Sequence, residues 1–150
     1  MAAKRWYPLF LDIEGKLAVV VGGGNVAFRK AAGAAAAGAR VRVIAPRFLR
    51  EFEAFEGVER IQREFEEADL TGAALVFAAT DSREVNRRVG EAARALGIPA
   101  NIADAPEECA FIVPARIHRQ GVQIAISTGG EDPKRAAETR KKLEEFLDQL

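Results

Sequence analysis

Residues 16–37 read KLAVVVGGGNVAFRKAAGAAAA, and this stretch decides the fold. Lys16 to Val21 is a short apolar run rich in β-branched residues, bounded by Gly15 and Gly22. A half-exposed strand would alternate polar and apolar residues, so an unbroken run suits a central parallel strand covered on both faces. The alanine-rich segment after the glycines predicts a helix ending near Ala37, with Gly38 where a C-terminal cap glycine is expected. Small side chains at Ala31, Ala34 and Ala35 would let that helix lie close to the sheet.

Between strand and helix, Gly22-x-Gly24-x-x-Ala27 fits the G-x-G-x-x-G/A fingerprint of dinucleotide-binding folds. The first glycine permits the tight turn, the second leaves room for a pyrophosphate, and Ala27 lets helix and strand pack closely. Phosphate oxygens would then meet open N–H groups and the positive end of the helix. The competing reading is a structural glycine turn in a non-binding α/β domain. Such folds usually carry an acid about 20 residues on, at the end of the second strand, to hold the ribose hydroxyls. Here that strand ends Ile44-Ala45-Pro46-Arg47, with no acid. Backbone groups around Pro46 must then serve the ribose. Arg47 is either a contact open to NADP or a solvated loop residue.

Further along, residues 41–45 (VRVIA) predict a second strand, and Leu49, Phe52 and Phe55 a short helical stripe. Residues 58–65 form a poorly patterned third strand, and residues 74–79 (ALVFAA) another buried one. Thr80-Asp81-Ser82 follows, and Asp81 with Glu84 resembles a capping box. Val85, Val89, Ala92 and Leu96 mark the apolar face of a helix that stops at Gly97, and residues 98–103 (IPANIA) complete the alternation. The expected fold is α/β, a Rossmann-type right-handed parallel sheet. After Asp104 the rhythm changes. Residues 111–118 and 122–127 predict an antiparallel hairpin across Arg119-Gln120-Gly121. Asp132 and Pro133 then open a terminal helix with Ala136, Leu143, Phe146, Leu147 and Leu150 as its stripe. The expected division is a nucleotide-binding domain over residues 1–105 and a small hairpin-and-helix segment over residues 106–150.

Composition narrows the function classes. The 150 residues are 49% hydrophobic and 29% charged, which suits one globular domain rather than a disordered chain. Lys plus Arg and Asp plus Glu are both 22, and a net charge of zero argues against a nucleic-acid binder or a polybasic membrane binder. The single Cys109 excludes an intrachain disulfide, and the single His118 leaves too few ligands for a typical zinc site, so no resident metal is expected. The N-terminus carries charges too early for a signal peptide, and no apolar run approaches the roughly 20 residues of a transmembrane helix. A cytoplasmic protein is expected.

Six blocks in order carry a family resemblance: residues 7–12 (YPLFLD), 19–30 (VVVGGGNVAFRK), 78–89 (AATDSREVNRRV), 101–106 (NIADAP), 111–115 (FIVPA) and 125–130 (AISTGG). Together they resemble the precorrin-2 dehydrogenase/sirohydrochlorin ferrochelatase family, the N-terminal module of sirohaem synthase. The resemblance implies NAD-dependent oxidation of precorrin-2 to sirohydrochlorin by a homodimer whose post-Rossmann segment intertwines with its partner. In bifunctional members the same site also inserts ferrous iron. It further implies that Asn25, Val26, Pro46 and Arg47 stand at cofactor-contact positions, beside Gly22, Gly24 and Ala27 of the fingerprint. Thr80, Asp81 and Asn101 complete the candidate cofactor set. Asp104 falls on the family's key acidic residue, and Thr128 matches a position where some members carry a phosphorylatable serine.

This sequence departs from the family at three places. After the glycine pair it reads Glu131-Asp132-Pro133-Lys134-Arg135 instead of a Ser-Pro-leucine-rich pattern, and His118 stands where many members have an acid. Longer members continue into a helical C-terminal domain, which these 150 residues are not expected to include; chelatase activity is correspondingly left open.

Within that resemblance, Asp104 is the candidate general base, at the C-terminal end of a parallel strand where ligands of open sheets gather. Its competing role is a loop-capping aspartate before Pro106. Arg116 and His118 lie two apart on one strand, so they share a face; with Thr128 they are the candidate substrate contacts. Arg119, Arg87 and Arg88 could add positive charge for an anionic tetrapyrrole, although each taken alone reads first as a solvated surface residue. Cys109 is expected to be a small buried residue rather than a nucleophile. The alternative function is a non-catalytic NAD-binding sensor or an assembly subunit.

Overall fold

Every residue of β1 (Leu17–Val21) is buried. The computed structural model, which describes residues 4–149, places this strand at the centre of a five-stranded sheet. The others are β2 (Arg40–Ile44), β3 (Val58–Ile61), β4 (Ala73–Ala78) and β5 (Ala100–Ile102), in the order β3-β2-β1-β4-β5. All four pairings are parallel, so the loops after β1, β2, β4 and β5 share one edge of the sheet. The chain runs outward from β1 to β3 and then returns to the other side at β4. That reversal creates a switch point between β1 and β4, where open α/β sheets bind ligands. The Rossmann-type architecture expected from residues 16–37 is the one observed.

Helix α1 (Asn25–Ala36) buries Ala27, Ala31 and Ala34. They join a core with Ala18, Val20, Val41, Val43 and Phe52. The near absence of larger side chains on that face allows the close approach the alanine spacing predicted. Helix α2 (Arg83–Ala95) buries Val89, Ala92 and Ala93.

Four local expectations change. The stripe Leu49, Phe52 and Phe55 is a single 3-10 turn, Arg50–Phe52. Phe52 is fully buried, with its ring centroid 5.1 Å from Phe28 and 5.3 Å from Phe48, so an aromatic cluster rather than a helical face spaces these residues. The third strand stops at Ile61, because Glu66 and Asp69 cap a second 3-10 turn, Glu67–Leu70. The capping box therefore lies there. At α2 the cap is Ser82, whose hydroxyl accepts from the Val85 N–H at 3.3 Å, rather than Asp81.

The chain divides into two compact units, one spanning residues 11–111 and the other made of the described residues before Leu11 together with those from Ile112 onward. In the second, β6 (Ala115–Arg119) pairs antiparallel with β7 (Val122–Ile126). The expected first strand thus begins four residues late, after Pro114, which has no N–H for a ladder. Gln120 and Gly121 both have positive φ, +49° and +79°, as a two-residue primed turn requires. Helix α3 (Pro133–Leu147) is capped by Asp132, which accepts from the Arg135 N–H at 2.9 Å. Leu150 lies outside the described residues. Among the described residues no helix is long and apolar enough to cross a membrane.

Candidate functional site

The glycine loop has two kinds of glycine. A Cβ at Gly22 would collide with the Ala79 carbonyl, and its φ of +137° already disfavours any other residue. A Cβ at Gly23 would strike the Arg47 carbonyl and stand 3.0 Å from the Ala45 Cβ. Gly22 therefore holds β1 against the loop after β4, and Gly23 holds it against the loop after β2. Gly24 differs. Its backbone is extended, φ −93°, and nothing of the protein lies within 4 Å of where its Cβ would be. Neither packing nor conformation requires glycine there. The open space leaves room for a ligand to approach the backbone, and the α1 N-terminus behind it has no side-chain cap. The first-turn N–H groups at Asn25, Val26 and Ala27 are placed to receive phosphate oxygens. Asn25 and Val26 are exposed and Ala27 is buried against the sheet. A dinucleotide fits this cradle.

Pro46 and Arg47 are exposed, on a loop tied to the glycine turn by the Leu49 N–H to Gly23 carbonyl bond of 2.9 Å. The loop after β4 is fixed by fully buried Asn86, which sequence reasoning missed. Its Oδ1 accepts from the Thr80 N–H at 3.0 Å and lies 2.7 Å from the Thr80 hydroxyl, and its Nδ2 donates to the Thr80 carbonyl at 3.1 Å. Thr80 is thus held in place, while Asp81 stays exposed.

Asn101, in β5, is buried and fully engaged. It accepts from Lys30 Nζ at 2.8 Å and donates to the Phe111 carbonyl at 3.0 Å. Burial pushes the Lys30 ammonium below the usual lysine range, Cys109 acting in the opposite sense and Arg29 adding to the depression. Cys109 is buried, its sulfur accepting from the Ile102 N–H at 3.1 Å. Asp104 is exposed just beyond β5 and paired: Arg83, first residue of α2, reaches it at 3.3 Å and also pairs with Glu108. Arg83 and Glu108 were not singled out by the sequence; their separation of 25 residues gave no local signal.

In the second unit Ile117 is buried, and Arg116 and His118 occupy the other, exposed face of β6 as their spacing required. The Thr128 hydroxyl donates to the Asp132 carbonyl at 2.8 Å and accepts from the Asp132 N–H at 3.0 Å, closing the turn before α3. Arg87 pairs with Glu91, and Arg119 with Asp148. Among the described residues no three His, Cys, Asp or Glu side chains gather as a metal site would require.

Over residues 9–115 the chain matches the model of a family described as "Putative NAD(P)-binding". The chain belongs to this NAD(P)-binding family. It is 46% identical over 143 residues to a siroheme synthase of Pseudomonas paraeruginosa, covering 93% of this chain and 31% of that protein. It is 40% identical over 145 residues to the siroheme synthase of Thioalkalivibrio sulfidiphilus, covering 95% and 30%. The chain thus spans about a third of the length of the curated relatives it matches. A solved structure titled "SirC, precorrin-2 dehydrogenase" superposes with a TM-score of 0.74 at 28% identity, over 96% of this chain and 70% of that one. The glycine loop and the uncapped α1 N-terminus lie within the residues matched by the NAD(P)-binding family.

Proposed function

We propose that the chain is a precorrin-2 dehydrogenase acting in siroheme synthesis, oxidising precorrin-2 to sirohydrochlorin with NAD. The observation that carries this reading is the likeness to a precorrin-2 dehydrogenase over 96% of the chain. Siroheme synthase relatives and the open Gly24 cradle support it. When bound, NAD supplies the hydride acceptor, and the protein mainly orients it. The α1 N-terminus and Gly24 seat the pyrophosphate. The Asp104 carboxylate, at the C-terminal edge of the sheet, takes the proton that must leave when a C–H bond loses its hydride. Within the second unit, Arg116 and His118 remain on the exposed face of β6, and Thr128 holds the turn before α3.

Residues 11–111 carry the cofactor role in this reading, and the second unit carries homodimerisation. Exposed Tyr7, Leu9 and Phe10 (87%, 64% and 70%) support an association with a second copy. The deciding assay mixes purified protein, precorrin-2 and NAD, and follows NADH and sirohydrochlorin by absorbance. Formation of both is expected, with turnover lost in Asp104→Ala. Wild-type turnover in that variant removes the role given to Asp104. Tight NAD binding with no NADH formed would instead indicate a sensor or assembly subunit. Ferrous iron added afterwards, as substrate, tests whether chelation follows.

A further inference from the structure

The end of β2 carries a second message about the dinucleotide. In sites that select the unphosphorylated ribose, a carboxylate there binds the 2′-hydroxyl and repels a 2′-phosphate. Here the strand runs out into Ala45, Pro46 and Arg47, so nothing of that sign stands at the position. Of the carboxylates on β3 and the 3-10 turn after it, Glu59 is committed to Arg42 at 2.7 Å and Asp69 to Arg63 at 2.6 Å. Arg47 is exposed, and among the described residues no carboxylate lies within ion-pair distance of it. Arg50, three residues on, is in the same condition.

The loop bearing Arg47 is also fixed in place. The Arg47 carbonyl closes over Gly23, the Leu49 N–H binds the Gly23 carbonyl at 2.9 Å, and Gln62 Nε2 donates to the Pro46 carbonyl at 3.4 Å. The backbone of residue 47 therefore keeps one position relative to the pyrophosphate cradle. A guanidinium is a planar fork of donors that matches phosphate oxygens, and its charge-assisted bonds are stronger than neutral ones.

We propose that Arg47 is a specificity-determining residue that lets this site accept a 2′-phosphorylated dinucleotide, NADP, alongside NAD. The inference rests on the dinucleotide reading of the same site. Binding of NAD+, NADP+ and 2′,5′-ADP to the full chain is measured by calorimetry, for wild type, Arg47→Ala and Arg47→Asp. Wild type is expected to bind NADP+ within about tenfold of NAD+. Arg47→Ala moves the ratio of the two dissociation constants toward NAD+ by about tenfold, and weakens 2′,5′-ADP in step. Arg47→Asp moves the ratio further. A wild-type preference for NAD+ beyond tenfold, or a ratio unmoved by both variants, overturns the role of Arg47 while leaving the NAD reading intact. Binding of neither dinucleotide overturns the nucleotide reading, and this inference with it.

Discussion

Gly22, Gly23 and Gly24 are consecutive in sequence but answer to different partners. Backbone carbonyls of Ala79 and Arg47 occupy the space a side chain would need at the first two. Alanine at Gly22 or Gly23 must push backbone aside, and each is expected to lower stability by about 1–3 kcal/mol in thermal or denaturant unfolding. At Gly24 the space is empty, so alanine should cost about 1 kcal/mol or less, as a helix N-cap change. Its effect belongs to binding: NAD affinity measured by titration should fall far more than the melting temperature. Equal losses at Gly22 and Gly24 would contradict this separation. Asp69 gives a second residue-scale expectation. Hydrogen bonding from Arg63 holds its carboxyl below the usual aspartate range, with the Glu66 N–H helping and burial opposing. A depressed carboxyl contributes stability that is present above its unfolded value near 4 and is lost as pH falls through the lower folded value. The gap between wild type and Asp69→Asn, on the order of 1 kcal/mol at neutral pH, should therefore close below about pH 4 in urea unfolding.

At the level of elements, the first turn of α2 ties the tail of β5 to the helix. Arg83 is the link, bridging Asp104 and Glu108. Its side chain is 45% exposed and that of Asp104 36%, so the pair adds less than about 1 kcal/mol to folding. In the proposed mechanism its value is orientation of the Asp104 carboxylate. Arg83→Gln should leave the melting temperature nearly unchanged while lowering kcat by up to about a hundredfold, with Arg83→Lys recovering part of the loss. An unchanged kcat would make the ion pair a surface ornament. This link was invisible in the sequence because nothing local joins residue 83 to residue 104. The strands and helices were legible where one period dominated: the unbroken apolar run of β1, the alanine spacing of α1, and Val89 and Ala92 of the α2 stripe, whose expected last member Leu96 is instead exposed because the helix ends there. They failed where side chains served another purpose. Phe52 and Phe55 imitate a helical stripe, yet their rings pack in a cluster with Phe28. Glu66 and Asp69 lie beyond the apolar pattern altogether, and their reciprocal bonds to the backbone end β3 early. In the candidate site, the glycines announced themselves by spacing, whereas Asn86 and Lys30 carry ordinary helical positions and reveal their part only through contacts across the fold.

For the whole molecule, zero net charge hides an uneven distribution of duties. Many arginines are spent on local ion pairs, Arg87 with Glu91 and Arg140 with Glu144 along their own helices. Among the described residues Arg116, on the outer face of β6, and Arg47 and Arg50, after β2, are in no ion pair, which leaves them available to small anions. The N-terminal stretch is the opposite case: it exposes the large apolar side chains of Tyr7, Leu9 and Phe10 close together along the chain, a surface suited to association. Sedimentation is expected to give a particle of two 16.2 kDa chains, and Phe10→Asp should shift it toward one. A wild-type monomer at all concentrations would rule the association out.

Asn86 also marks a place where the protein can be watched. The Thr80 amide belongs to no strand or helix, and amides of such loops ordinarily exchange their hydrogens with solvent quickly. Here that hydrogen is given to a fully buried carbonyl oxygen on α2, so it should exchange as slowly as those of the central strands. Its exchange rate would therefore serve as a built-in clock for opening of the β4–α2 loop, slowing further when a ligand settles at the neighbouring glycine turn.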